Sequence, residues 1–412
     1  MKTLIRGALG ATCLPLLVAC GGDGCNDWSC DNLPPTEVQY GLVAADLNGD
    51  GFPDVVGAST LFGAGPTSTG NLTVYRHPGA AGGSFGTPTS YAAGYEPWFL
   101  ATGDLDGDGL PDIVSASVDD RALSLFFNDP ANPGTLKARQ TLSSPGASQV
   151  AIADINGDGL PDLISADYSV SLFLQDPATP GTFFAPLGLF AGGANWVAAG
   201  DLNADGFPDI AVTDNVGVKL LFHAASATST AFQAPVSVYV QTANARVLGA
   251  DAVAIADVNG DALGDLVITD PGPTGGGAPF VAVLLQDAAN HGQFLAAATY
   301  PIATNNLGQC VVVADLNGDT LPDIVVGGSD AVSVLLQDAA NPGSFLAAQN
   351  YATPLGAYQV SIADLDGDGR PDLVVTNGAT TPTVNGVITT HPGVLYQDAA
   401  SPGTFKALQD LP

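Results

Sequence analysis

A nine-residue acidic segment recurs seven times along the chain. The copies are residues 46–54 (DLNGDGFPD), 104–112 (DLDGDGLPD), 154–162 (DINGDGLPD), 201–209 (DLNADGFPD), 257–265 (DVNGDALGD), 315–323 (DLNGDTLPD) and 364–372 (DLDGDGRPD). Their starts lie 58, 50, 47, 56, 58 and 49 residues apart. Positions 1, 3, 5 and 9 carry Asp or Asn side-chain oxygens, and glycine usually holds positions 4 and 6. Hard oxygen donors two residues apart, joined by the main-chain carbonyl of position 7, suit a calcium ion held at about 2.3–2.6 Å, as in an EF-hand loop. Glycine admits the left-handed backbone that so tight a wrap requires. A true EF-hand is excluded, because strand-like runs flank the segment and Asp at position 9 stands where that motif has Glu at position 12. The competing reading is an Asx-rich hairpin turn whose side chains bond only the local backbone. Charge favours the metal. The seven segments hold 23 of the 41 acidic residues, and carboxylates so close repel one another unless a cation sits among them.

Something must hold these loops in place. Before each copy comes a short apolar run such as 150–153 (VAIA), and after it another such as 373–376 (LVVT). These read as two strands joined by the acidic loop. A third run follows (281–285, VAVLL; 332–336, VSVLL), then a turn such as 337–343 (QDAANPG). The fourth run opens on Phe85, Leu136, Phe183, Phe232, Phe294, Phe345 or Phe405. Four short strands repeated seven times at a period of about 50 residues predict an all-β, seven-bladed β-propeller over residues 38–412. A lone four-stranded sheet cannot cover both apolar faces, whereas a ring of them can. The first copy opens with strand one and the last closes with strand four, so the seam between blades seven and one is expected to hold by face packing alone.

These motifs resemble the FG-GAP/VCBS repeat family, the bacterial relatives of the integrin α-chain propeller. The resemblance implies that each acidic loop joins strands one and two of a blade and binds calcium, up to seven Ca²⁺ in all. Carried over by position, the side-chain ligands of the first three loops are Asp46, Asn48, Asp50 and Asp54; Asp104, Asp106, Asp108 and Asp112; and Asp154, Asn156, Asp158 and Asp162. Those of the next two are Asp201, Asn203, Asp205 and Asp209; and Asp257, Asn259, Asp261 and Asp265. The last two use Asp315, Asn317, Asp319 and Asp323; and Asp364, Asp366, Asp368 and Asp372. The main-chain carbonyls are those of Phe52, Leu110, Leu160, Phe207, Leu263, Leu321 and Arg370. Ala262 and Thr320 replace glycine at position 6, and Gly264 replaces the usual proline. The fifth and sixth loops are therefore expected to bind more weakly or to rest in a shifted turn; Ala204, at position 4, is a milder change.

The N-terminal residues read as an address. Lys2 and Arg6 precede an apolar run, and residues 17–20 (LVAC) resemble the lipobox of bacterial lipoproteins. Residues 1–19 are then a lipoprotein signal peptide and Cys20 the lipidated mature N-terminus; an ordinary secretory signal is the alternative. Several acyl chains together anchor durably where one does not. Residues 20–37 read as a flexible tether, in which Cys25 and Cys30 are expected to close a small disulfide loop rather than remain free thiols. Cys310, inside an apolar run, reads as a small buried hydrophobe. The expected location is the bacterial cell envelope, at the outer membrane or cell surface.

Ten Lys and Arg face 41 Asp and Glu in 412 residues, a formal charge of −31. That leaves no basic stripe to neutralise phosphates, so nucleic-acid binding is excluded. A 46% hydrophobic content with 12% charged residues provides a core, and disorder is excluded. Gly and Pro abound (51 and 30 residues), as many tight turns require.

Propeller geometry puts the strand 1–2 loops on one face and the strand 2–3 loops on the other, where loop length varies most: residues 61–71, 271–279 and 378–392 are long. Ligand binds that face in the integrin relatives. Counting six back from each acidic segment gives Tyr40, Trp98, Ser148, Asn195, Asp251, Gln309 and Tyr358, with Gln149, Trp196 and Gln359 one step on. Tyr40, Trp98, Trp196, Gln309 and Tyr358 are the candidate ligand-binding residues, since aromatics among amides stack on sugars or anchor peptides; the alternative is that they fill the central channel. Four histidines, His77, His223, His291 and His391, show no shared register, and no nucleophile elbow or zinc motif appears. The leading expectation is a calcium-binding, surface-anchored propeller that binds an extracellular protein. A glycan-binding lectin is the alternative, and a polysaccharide lyase, drawing on Arg121 or Arg246, is a third reading.

Overall fold

The computed structural model describes residues 36–62, 69–214, 216–224, 231–242, 245–246, 250–270, 278–302, 310–384 and 387–411. Cys20, Cys25, Cys30 and Gln309 lie outside the described residues. No helix is present among those described; strands and turns make up the whole.

Seven antiparallel four-stranded blades follow in chain order. Blade 1 is Thr36–Ala45, Asp54–Phe62, Thr69–Tyr75 and Thr89–Gly94, and blade 2 is Pro97–Gly103, Asp112–Ser117, Ala122–Phe126 and Gln140–Ser143. Blade 3 is Gln149–Ala153, Asp162–Ala166, Ser169–Phe173 and Leu187–Ala191; blade 4 is Trp196–Gly200, Asp209–Asp214, Gly217–Leu221 and Val236–Val238. Blade 5 is Val253–Ala256, Asp265–Asp270, Phe280–Leu284 and Ala298–Pro301; blade 6 is Cys310–Ala314, Asp323–Gly327, Ala331–Leu335 and Gln349–Ala352. Blade 7 is Val360–Ala363, Asp372–Val384, Val387–Leu395 and Gln409–Asp410. The first strands neighbour one another in succession, and that of blade 7 returns to that of blade 1. The fold is the expected all-β, seven-bladed propeller.

Seven hydrophobic clusters fill the spaces between consecutive blades. The second residue of every acidic loop is an anchor for one of them. Leu47, Leu105, Ile155, Leu202, Val258, Leu316 and Leu365 are all buried, so each loop is nailed by an apolar side chain to the interface beside it. Full burial of one such side chain is worth about 1.5–3 kcal/mol. Strands two and three, sandwiched on both faces, are buried throughout, as in Asp112–Ser117 and Ala122–Phe126. The fourth strands are exposed instead, with one half-buried residue each in Gln140–Ser143 and Gln349–Ala352.

Three expectations need correction. Leu136, Phe183, Phe232, Phe294, Phe345 and Phe405 do not open the fourth strand; each makes an isolated bridge to the second residue past strand three, and the fourth strand starts later. The described residues of the long segments 61–71 and 378–392 are strand, because strands two and three of blades 1 and 7 run on as tall hairpins. Finally, the seam between blades 7 and 1 is hydrogen-bonded as well as packed. Thr36 pairs in parallel with Ile388, Gln39 N donates to Thr390 Oγ1 at 2.9 Å, and Thr390 Oγ1 donates to Glu37 O at 3.2 Å. Leu42, Val55 and Tyr75 meet Leu365, Val374 and Val394 in the seam core. The extra length of the first strand of blade 1 reaches the tall hairpin of blade 7, which a strand of ordinary length would not.

Candidate metal loops and the opposite rim

In every acidic loop the position-1 carboxylate is the hub. Its Oδ2 accepts the position-6 amide at 2.7–2.9 Å in all seven copies. Its Oδ1 accepts the amide of position 4, of position 5, or of both. Position 5 in turn caps the position-7 amide, as Asp50 Oδ1 does for Phe52 N at 2.9 Å. This folding requires positive φ at positions 4 and 6. Glycine meets it in most copies, and Ala204 (φ 59°), Ala262 (φ 66°) and Thr320 (φ 71°) are held there too. The fifth and sixth loops are therefore not shifted: Ala262 N and Thr320 N make the shared bond at 2.7 and 2.8 Å. Conformational strain at those residues replaces displacement.

Position 9 begins strand two in every blade and is buried. Its Oδ1 accepts the amide of the second residue past strand three: His77, Asn128, Gln175, His223, Gln286, Gln337 or Gln397, at 2.7–2.8 Å. In blades 2 to 7 its Oδ2 accepts the position-2 amide. In blade 1 the Leu47 amide acts on the buried Asp54 carboxyl in the same way. Burial pushes all seven carboxyls, Asp54, Asp112, Asp162, Asp209, Asp265, Asp323 and Asp372, up to about 6, against the opposing pull of backbone N–H groups. Position 9 is thus a clamp between loop and third strand as much as a candidate ligand.

The residue past strand three carries a pattern that the sequence reading missed. Asn128, Gln175, Gln286, Gln337 and Gln397 donate their side-chain amides to the position-8 carbonyl, and their side-chain oxygens accept a glycine amide from the strand 3–4 turn. In blades 1 and 4 histidine stands there. His77 stacks on Phe52 (4.7 Å between centroids) and His223 on Phe207 (5.1 Å). Two of the four histidines therefore do share a register, paired with the two phenylalanines at position 7. Lining up the residue eight before each bridge residue finds it, nine before in blade 4.

Carboxylate oxygens of Asp104, Asp106 and Asp108 lie within 4.8 Å of one another, as do those of Asp364, Asp366 and Asp372. The donor set is all oxygen, which suits a hard divalent cation. Cationic side chains already approach it: Lys137 Nζ lies 3.8 Å from Asp106 Oδ2, and Arg370 Nη1 2.7 Å from Asp368 Oδ2. The all-oxygen donor set and these cationic side chains, standing where an ion would, fit a metal ion; the position-1 Oδ2, which accepts the position-6 amide, keeps a second lone pair for one.

At the opposite rim the candidate residues divide into two groups. Tyr40 and Trp98 stack at 5.3 Å with planes 8° apart, and Tyr358 joins at 5.8 Å. The three come from blades 1, 2 and 7, beside the tall hairpins. Trp196 does not join them. It packs edge-on to Phe99 at 4.9 Å and, half-buried, against core residues of blades 4 to 7, so its place is toward the central channel and apart from the Tyr40 cluster. Gln359 Oε1 accepts from Leu42 N and Leu100 N while its Nε2 donates to Leu100 O at 2.8 Å, and Gln149 Oε1 accepts from Val197 N at 3.1 Å. These glutamines stitch the innermost strands together. Burial pushes the Asp251 carboxyl on this rim up to about 7, with Asp270 adding to it. Cys310 is a free, buried thiol pushed up to about 12 by burial.

These loops and blades define a propeller built from acidic hairpin repeats. The FG-GAP-like repeat model matches residues 46–115, 104–165, 154–212, 257–326 and 315–375, and the chain belongs to that family. Its fold is similar to the crystal structure of a protein from Lactobacillus plantarum at 15% identity and a TM-score of 0.50, covering 77% of this chain and 86% of that one. A crystal structure of rhamnogalacturonan lyase YesW is similar at 14% identity and a TM-score of 0.47, covering 83% of this chain and 70% of that chain. Likeness at such identity concerns fold alone. No curated protein matches the chain.

Proposed function

We propose that the protein is a calcium-stabilised binding module, exported and held at the bacterial envelope through a lipidated Cys20, whose loop-rich face engages an extracellular protein. The observation that carries the metal reading is the repetition of one cradle seven times, with positive φ retained even at Ala262 and Thr320. A hairpin needing only a turn would not hold alanine and threonine in a costly conformation to preserve it. Positions 1, 3, 5 and 9, with the position-7 carbonyl, are the residues that would hold the ion. Bound to the folded loops and not to the open chain, calcium stabilises by mass action.

The rim opposite the metal loops is the binding face in this reading. There the hairpins of blades 1 and 7 rise beside Trp98 and Tyr358, half-buried aromatics that supply rigid contact area, with the buried Tyr40 packed against both as their support. The lectin alternative loses Trp196 to the channel. Chelation with EGTA should lower the melting temperature markedly, with recovery on adding excess calcium; an unchanged melt would sink the metal reading. A binding screen of envelope-exposed proteins beside a glycan array, each with and without calcium, separates the protein partner from a sugar.

A further inference from the structure

Position 3 of the acidic loop is asparagine in five blades and aspartate in two, Asp106 in blade 2 and Asp366 in blade 7. Another position varies in step with it. The residue after the bridge aromatic donates its backbone N–H to a strand-three carbonyl in every blade: Gly86 to Arg76, Lys137 to Phe127, Phe184 to Leu174, Gln233 to Phe222, Leu295 to Leu285, Leu346 to Leu336 and Lys406 to Tyr396. The shared bond makes these seven residues structural equivalents. Lysine occupies this position in blades 2 and 7 and in no other. Beyond Lys2 the chain has only Lys137, Lys219 and Lys406, so most of its lysines stand where an extra carboxylate stands.

The geometry agrees. Lys137 Nζ is 3.8 Å from Asp106 Oδ2. Lys406 takes the same place in blade 7, its backbone N–H bound to Tyr396 O at 2.8 Å as Lys137 N is to Phe127 O at 2.7 Å. Asparagine loops meet the same need internally: Asn48, Asn156, Asn259 and Asn317 each donate Nδ2–H to Oδ2 of the position-5 aspartate at 3.0–3.1 Å. Aspartate has no such hydrogen to give. It adds a charge and removes a donor; Lys137 sets an opposing charge beside Asp106, and in blade 7 Arg370 Nη1 takes over the donation to the position-5 Asp368.

We infer that Lys137 and Lys406 are resident counter-ions of Asp106 and Asp366, holding loops 2 and 7 in the cradle conformation without metal and giving way when a divalent cation enters. This rests on the metal reading above. It means that the two loops richest in carboxylate are not the tightest sites by charge alone, because binding there is an exchange of ammonium for metal. The blades with Asn259 and Leu295, or Asn317 and Leu346, show the uncharged version of the same pair.

A double-mutant cycle on the full chain tests this, using Asp106→Asn, Lys137→Leu and both together, the last reproducing the asparagine–leucine pair of blades 5 and 6. Melting in EGTA and calcium isotherms by calorimetry are the two readouts. Lys137→Leu should lower the calcium-free melting temperature, Asp106→Asn in that background should restore it, and Lys137→Leu should tighten one calcium site by about 1.5- to fivefold, the scale of an exposed ion pair. Additive effects on calcium-free melting, or an unchanged isotherm in Lys137→Leu, would overturn the counter-ion role. No calcium uptake by the unaltered protein would overturn the metal reading itself. That result is distinguishable, because the calcium-free half of the cycle reports the pairing independently.

Discussion

Thr320 is held at φ 71° with its backbone amide bound to Asp315. A β-branched residue in that region is a true outlier, and the strain is about 1–3 kcal/mol, more than the entropy glycine would lose in the same place. Thr320→Gly should therefore stabilise the calcium-free protein by about 1 kcal/mol, read as a higher denaturation midpoint in EGTA. A fall in the midpoint would show that the threonine is unstrained. At this scale the acidic loops were legible in sequence because oxygen donors at fixed spacing leave a periodic trace. Trp196, Gln149 and Gln359 were not, since a residue count along a strand gives its height in the ring and not whether its side chain turns to the rim or to the axis. His77 and His223 were missed for a different reason: their register is fixed by the end of strand three, which no motif marks.

Strand two starts at the position-9 aspartate in all seven blades, and that placement controls how pH acts on the fold. Each of these carboxyls is raised to about 6 in the folded state by burial, against an ordinary value near 3.9 in the open chain. The folded form thus binds the proton more strongly. Their contribution is fully present below about pH 4 and is lost as pH rises through about 6. Without calcium, melting temperature should fall from pH 4.5 to pH 7; with saturating calcium the slope should flatten, because the cation favours the ionised form. A calcium-free melting temperature that is level or climbs across that range would contradict the assignment. The strands around these residues were legible as apolar runs. The interruption between the bridge aromatics and the fourth strand was not, because a single bridging residue leaves the same apolar signature as the first residue of a strand.

Across the whole molecule, 31 excess negative charges oppose compactness, and the ring must close in spite of them. Closure uses the seven apolar interfaces together with the hydrogen bonds at the seam of blades 7 and 1. Thr390 is the pivot there, accepting from Gln39 and donating to Glu37. Thr390→Val keeps the shape and removes both bonds, leaving a buried amide unpaired, so it should cost about 1–3 kcal/mol. Equilibrium unfolding checks this, and a loss no larger than that of an exposed strand threonine would show that packing alone seals the ring. The ring itself was legible from seven equal repeats. Its hydrogen-bonded seam was not, because Thr36 pairs with Ile388 across nearly the whole length of the chain.

Thr36 is flanked by Phe62 on one side and Ile388 on the other. Tension drawn through the residues just before it would run along the strand, with the ladder bonds lying across the pull. Many bonds would then be strained together instead of peeling one by one. The joint of the wheel would be its point of attachment, and traction would be shared by the first blade and the last before any other blade felt it.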